Sequence, residues 1–483
     1  MVACFGHAGA MQFHPYKETT INVDVTLSYG AGWRLEEPDA DKLASANAND
    51  GNYNFDKGDL INNRLGLVAD IDAQHKNFGF FLRPRAFYDF VYMGSNANYA
   101  DNPTPNNTPD SPDDFPDETQ DMHGNRAEIL DAFIWTDLPV GHRTLQLRLG
   151  NQVIQWGESL YIQGGIASAM AHMDLTAASA PGTELKEILL PSGALSGQID
   201  LTPNTSLSAY YQYDWDKNRY YESGSYFSTT DFLDNAGTTL FPAPGAVFSK
   251  TGDQDPDDGG QYGLALMYVV PALNESEFGL YYLNYHERAL SLEFGPVGTY
   301  HLTFAEDVKL YGASFSTLIG DTSIGGELSY RQGLLAAVGS PFVNTDADVL
   351  QGQVSWSWMG KCPLMDAISF LGEVGFSDVI DTDADEDLLY LDGWAWGYNL
   401  TLTPCWYQVF AGLDMNLPIS YQGRPNGSAV TQVFTENDDR LGIGLDFIYR
   451  GVYTFNLRYV DFLGEENSRS DRDYVSATIK YTF

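Results

Sequence analysis

In FFLRPRAFYDF, residues 80–90, three charged side chains fall on one parity of an otherwise apolar run. In an extended chain Phe80, Leu82, Ala86, Tyr88 and Phe90 share one face, and Arg83, Arg85 and Asp89 share the other. NNRLGLVADID repeats the form, with Leu65, Leu67, Ala69 and Ile71 opposed to Arg64, Asp70 and Asp72. In TLQLRLGNQ, Leu145, Leu147 and Leu149 oppose Gln146, Arg148 and Gln152, and Arg458 stands likewise between Leu457 and Tyr459. Guanidinium groups in such a row can do two things. They can pass an anionic solute between shallow sites through forked hydrogen bonds, or they can pair with Asp70, Asp72 and Asp89 and brace a wall. Spacing leaves both open.

No residues for covalent or metal chemistry accompany them. The eight His form no H-E-x-x-H pattern and no Cys/His set with zinc spacing. A nucleophilic Ser needs a His that is itself oriented, and His286 has no such partner set. The sequence implies neither an enzyme nor a cofactor.

Period-two alternation is what must position the charged rows. Ile21, Val23, Val25, Leu27 and Tyr29 alternate with Asn22, Asp24, Thr26 and Ser28, and similar runs fill 205–217 and 452–462. A soluble sandwich alternates too, so the connections decide. Short turns are expected near 74–76, 141–143, 203–204, 271–274, 320–321, 361–363, 403–405 and 450–451. Long polar stretches fall between them near 31–61, 93–125, 157–191, 218–259, 287–306, 337–347, 377–389, 416–437 and 463–472. Short and long connections in strict alternation predict an all-β transmembrane antiparallel β-barrel with tight periplasmic turns and long external loops. The count is about 18 strands, with 16 as the other even possibility. Trp135, Trp356, Trp358 and Trp406 fall at periplasmic strand ends, and Trp215, Trp394 and Trp396 at external ends, as interfacial girdles require.

Composition narrows the class. The net charge of −39 disfavours nucleic acid as a partner. No run approaches the roughly 18 apolar residues of a membrane helix. Acidity gathers at 100–121, 251–260 and 377–387. These loops read either as a Ca2+-binding or cation-attracting vestibule, or as solvated loops bridged by divalent ions to lipopolysaccharide. Residues 1–10 end in Ala8-Gly9-Ala10, the small-x-small form of a signal-peptidase site. They read as a signal-peptide remnant before a single barrel domain, 11–483, with a lipid-bearing Cys4 as the rival reading. The closing YVSATIKYTF places Val475, Ile479, Tyr481 and Phe483 on one face, and a terminal Phe483 is similar to the signal read by the outer-membrane assembly machinery.

Five segments resemble the Gram-negative outer-membrane family catalogued as domain of unknown function number 1302. They are TLSYGAGWR at 26–34, NDGNYNFDKGDLINNRLGL at 49–67, GNQVIQWGES at 150–159, PGTELKEILLP at 181–191 and DRDYVSATIKYTF at 471–483. The acidic loops and the Cys362/Cys405 pair depart from that pattern. The resemblance implies a location in the bacterial outer membrane and a link to hydrophobic or aromatic compounds, and it brings no catalytic residues.

Two further expectations concern particular segments. Cys362 in KCPL and Cys405 in TPCW are read as turns of neighbouring hairpins and as a periplasmic disulfide, with two unrelated thiols as the alternative. Residues 157–191 lack the acidic, Pro-rich character of the other loops, and Ala167–Ala178 reads as a short helix. Ile162, Ile166, Met170, Met173 and Leu175 sit poorly in water. Folded inward, they narrow the lumen while Glu158, Glu184, Lys186 and Glu187 meet charged partners; the alternative is a cap on the rim. The function expected is a monomeric channel for small hydrophobic or aromatic, often carboxylate-bearing solutes, surrounded by outer-membrane lipid and lipopolysaccharide. An exit port for export or lipid handling and a closed-lumen surface protein are the alternatives.

Overall fold

The computed structural model describes residues 11–98, 101–296, 298–339 and 342–483; the expected signal remnant at 1–10 lies outside them. Eighteen antiparallel strands close into one barrel. The first nine are β1 (Thr19–Arg34), β2 (Leu60–His75), β3 (Phe78–Asp89), β4 (Asn125–Val140), β5 (Arg143–Gln152), β6 (Ser192–Thr202), β7 (Thr205–Gln212), β8 (Gln261–Val270) and β9 (Ser276–Tyr285). Then follow β10 (Val308–Ile319), β11 (Thr322–Val338), β12 (Val343–Cys362), β13 (Met365–Thr382) and β14 (Trp394–Phe410). β15 is interrupted (Leu413–Asn416 and Ile419–Asn426) and precedes β16 (Asp439–Tyr449), β17 (Tyr453–Leu463) and β18 (Tyr474–Thr482). Closure is made by β1 on β18, from Thr26 opposite Thr482 to Arg34 opposite Tyr474. The terminal Phe483 completes the seam by exchanging backbone hydrogen bonds with Val25.

The burial pattern inverts that of a soluble protein. Leu65, Ile134, Leu264 and Leu280 are exposed on the outer wall, whereas Arg85, Gln212, Gln351 and Glu373 are buried on the inner one. An outward apolar band around a polar interior is what a bilayer requires of a barrel. Outward aromatic rings neighbour one another across strands at both ends: Tyr262, Tyr282, Tyr311 and Tyr330 near the external loops, and Tyr449, Tyr453 and Tyr481 near the short turns.

Several expected boundaries move. Thr403–Cys405 is not a turn: β14 runs through Pro404, which lies opposite Ile368, and turns instead at Ala411-Gly412. Gly412 takes a φ of 80° there, a conformation open to glycine. The true break is at Leu417-Pro418, between the two parts of β15, where Pro418 has no N–H to donate although its carbonyl still accepts from Gly444 N. Cys362 and Cys405 therefore form no bridge. Cys362 lies on β12 opposite Met365 and Cys405 on β14 opposite Ala367, so the start of β13 runs between them. Two strand spacings of about 4.8 Å exceed the ~7 Å that a disulfide spans.

The external loops are packed rather than free. Phe55, Tyr92, Phe115, Tyr226 and Phe227, from three different loops, form one buried cluster with Phe462. Arg34 ties the first of these loops to the β17–β18 loop, donating to the Phe55 carbonyl at 2.7 Å and the Asp471 carboxylate at 3.0 Å. Trp215 belongs to a second cluster with Leu290, Leu302 and Phe304. It is buried in the cap instead of serving the expected external girdle.

Candidate functional site

Residues 153–191, between β5 and β6, cross the lumen. Glu327 is the sixth residue of β11 counted from its periplasmic turn and faces inward. Its carboxylate accepts the backbone N–H of Glu158 at 2.6 Å and of Ile166 at 2.9 Å. Glu373 on β13 accepts the N–H groups of Leu160, Tyr161 and Ile162 at 2.9, 2.6 and 2.5 Å. Arg331 on β11 donates to the Gly165 carbonyl, and Tyr161 Oη donates to Thr401 on β14. Ile166 and Met170 are fully buried against the inner wall with Tyr210, Tyr281 and Leu310. Ile162 packs on Ala395 and Phe434. Gln212 on β7 then holds the Met170 carbonyl.

The expected helix over 167–178 does not form. A single turn, Ile166–Ala169, gives way to an extended pair in which His172 and Met173 lie opposite Leu190 and Leu189. A second turn, Leu175–Ser179, starts where the Asp174 side chain accepts from Ala177 N. The return path lies on the opposite wall. Lys186 reaches Asp70 on β2 and Glu184, at 3.0 and 3.3 Å, and Glu184 also meets Lys480 on β18.

The basic wall divides into paired and unpaired cations. Arg83 is held between Asp70 at 2.6 Å and Asp131 at 2.5 Å. Asp131 is available because β4 bulges there: the register against β3 shifts between Ala132 and Ile129, so two residues oppose one. Arg85 bridges Glu128 and Asp174, at 2.5 and 2.9 Å, and Arg219 from the β7–β8 loop bridges the same two carboxylates. Arg458 pairs with Asp446. These groups brace the wall. Arg64, Arg148 and Asp72 have no ion-pair partner among the described residues; Arg64 lies over Phe87 and Arg148 over Phe133. Asp89 takes Asn62 and two backbone N–H groups in place of a cation.

The model of a family described as protein of unknown function, DUF1302, matches residues 1–483. The chain belongs to that family. No curated protein matches it. Among solved structures it is similar to Acinetobacter baumannii OccAB3, at 11% identity over 96% of this chain and 99% of that one, with a TM-score of 0.46. It is also similar to Pseudomonas aeruginosa OccK2 (OpdF) in complex with glucuronate, at 10% identity over 96% and 98%, TM-score 0.44. Pseudomonas aeruginosa OpdK with vanillate stands at 11% identity over the same shares, TM-score 0.44. The barrel itself is established by the strand pairings above.

In this DUF1302 barrel the acidic anchors are what the sequence reading missed. Glu327 in GGELSY and Glu373 in LGEVGF stand beside the outward Leu328 and Val374, so the alternation that found the arginines also marks them. Asp131 had no such signal, because a bulge resets the parity. Among the described residues no three His, Cys, Asp or Glu side chains converge as metal ligands.

Glu158 makes the docked loop sensitive to pH. Burial, then the charges of Glu277 and Glu327, push its carboxyl up to about 7 from an ordinary 4.5. A carboxyl raised in the docked state favours docking while it is protonated, so this contribution is full below 4.5 and gone once pH has risen through about 7. Hydrogen exchange of amides 158–166 should therefore be slower at pH 5 than at pH 8, after correction for intrinsic rates. Glu158→Gln should flatten the difference; an identical pH profile in that variant would remove Glu158 from the account.

Proposed function

We propose that this barrel spans the bacterial outer membrane as a channel for small solutes, with residues 157–191 forming its constriction. The observation that carries the reading is the crossing of the lumen by that segment, held through Glu327 and Glu373 on one wall and Asp70 and Lys480 on the other. An apolar outer wall supports the membrane setting, and the packing of Phe483 into the closing seam supports its part in assembly. Guanidinium groups without ion-pair partners among the described residues, Arg64 over Phe87 and Arg148 over Phe133, suit solutes that are part apolar and part anionic. Substituting a short Gly/Ser linker for 160–186 tests the reading in planar bilayers. Single-channel conductance should rise clearly and ion selectivity should change. Unchanged conductance in a correctly inserted barrel places the constriction elsewhere. The interlocked external loops favour a second reading, a closed-lumen surface protein, and a wild-type barrel that never conducts would select it.

A further inference from the structure

Arg64 is only 8% exposed, yet its guanidinium makes no hydrogen bond and no ion pair among the described residues. Its specific contact is the Phe87 ring, whose centroid lies 3.4 Å from the guanidinium carbon. The ring face supplies no hydrogen-bond acceptor of the carboxylate kind, so the N–H bonds remain open to one. Asp89, directly opposite Arg64 across β2 and β3, directs its carboxylate to Asn62, Asn63 and Val91. On the other side of Phe87, and directly opposite it, stands Arg126 of β4. It is half-buried and, among the described residues, has no hydrogen bond or ion pair either. Arg85 and Arg219 cannot exchange partners with them cheaply, because each is already held by both Glu128 and Asp174.

We propose that Arg64 and Arg126, flanking Phe87 on the inner wall, form a binding site for a small organic monocarboxylate. The proposal rests on the channel reading and names its solute class. A buried guanidinium left without an acceptor is costly, and a carboxylate matches its forked donors in the plane. The surroundings set the charge. Arg64, Arg85, Arg126 and Arg219 stand near Glu128, Asp174, Asp89 and Glu187, four cations against four carboxylates, so a single negative charge is better accommodated than two. His123 beside the cluster adds no cation, since burial pushes its imidazole down to about 3.

The test is titration calorimetry on the folded full-length barrel in detergent, with benzoate, benzamide and inorganic phosphate as probes. Anomalous migration of the unboiled protein reports folding of each variant. Benzoate should bind, while benzamide and phosphate bind at least about tenfold more weakly. Arg64→Gln and Arg126→Gln should each weaken benzoate binding by about tenfold or more, and Arg64→Lys, which keeps charge without the fork, by less. If Arg64→Gln fails to fold, the half-buried Arg126→Gln carries the same test. Benzoate binding that is absent, unchanged in the variants, or matched by phosphate overturns the site. Conductance recorded on the same preparation separates the two readings. A conducting barrel without an arginine-dependent benzoate site keeps the channel and loses the site; a non-conducting barrel that retains that dependence does the reverse.

Discussion

Replacing Glu327 and Glu373 together by Ala should release residues 157–166 from the far wall and bring single-channel conductance close to that of a barrel lacking 160–186. The two carboxylates accept five backbone N–H groups, from Glu158, Leu160, Tyr161, Ile162 and Ile166. Hydrogen bonds to a charged acceptor contribute about 1.5–3 kcal/mol each. Losing even two of the five shifts the docking equilibrium by roughly a hundredfold. The Gln353 amide nitrogen, which donates to Glu327, would lose its acceptor as well. Glu373→Gln and Glu327→Gln retain an amide carbonyl at the same place, so they should sit between the wild type and the Ala variants. A correctly inserted double-Ala barrel with wild-type conductance, beside a linker variant that conducts more, would show that the apolar packing of Ile162, Ile166 and Met170 holds the loop by itself.

These anchors show where sequence reading succeeds and where it stops. Alternation is a local signal, and it located the barrel, its 18 strands and the inward parity of Arg64, Arg83, Arg85 and Asp70, because a charge facing lipid costs about 2–4 kcal/mol at the midplane. The same parity marks Glu327 and Glu373. Their partners are backbone N–H groups more than 150 residues away in the chain, and nothing in a side-chain pattern announces a backbone donor. Asp131 was hidden for another reason: the bulge beside it shifts the strand by one residue, and a shift by one exchanges faces. The alternation of short and long connections predicts a turn at Thr403–Cys405. Pro404 instead keeps its place in the ladder through its carbonyl, which accepts from Leu417 N, and the break falls at Pro418. For Arg85 and Arg219 the bracing also depended on a carboxylate brought in by a loop, Asp174.

Asp174→Ala should undock the return path of the loop and leave Arg85 stranded. The Asp174 carboxylate is 2% exposed, pairs with Arg85 at 2.9 Å and Arg219 at 3.4 Å, and caps the turn at Leu175–Ser179 through Ala177 N. Removing one member of a buried charge network costs about 3–5 kcal/mol, because the opposite charge stays behind in a dry site. Glu128 alone would then serve both guanidinium groups. Burial by itself would raise the Asp174 carboxyl, but Arg85, the Thr176 hydroxyl and Arg219 outweigh it and hold the group well below the ordinary aspartate value of 3.8. A depressed carboxyl contributes stability that is fully present above 3.8 and is lost as pH falls toward the lowered folded value. Glu158 has the opposite sign and works against docking above about 7. The loop should thus be docked most firmly between these limits, by Asp174 on the acid side and Glu158 on the alkaline side. Hydrogen exchange of amides 172–180 at pH 5 measures it: strong protection in the wild type, and protection reduced by two or more orders of magnitude in Asp174→Ala, as about 3 kcal/mol requires. Asp174→Asn keeps the cap to Ala177 but not the charge, and should fall between. Equal protection in wild type and Asp174→Ala would mean that the return path is held by Lys186, Glu184 and Lys480, and that Arg85 finds its second acceptor elsewhere.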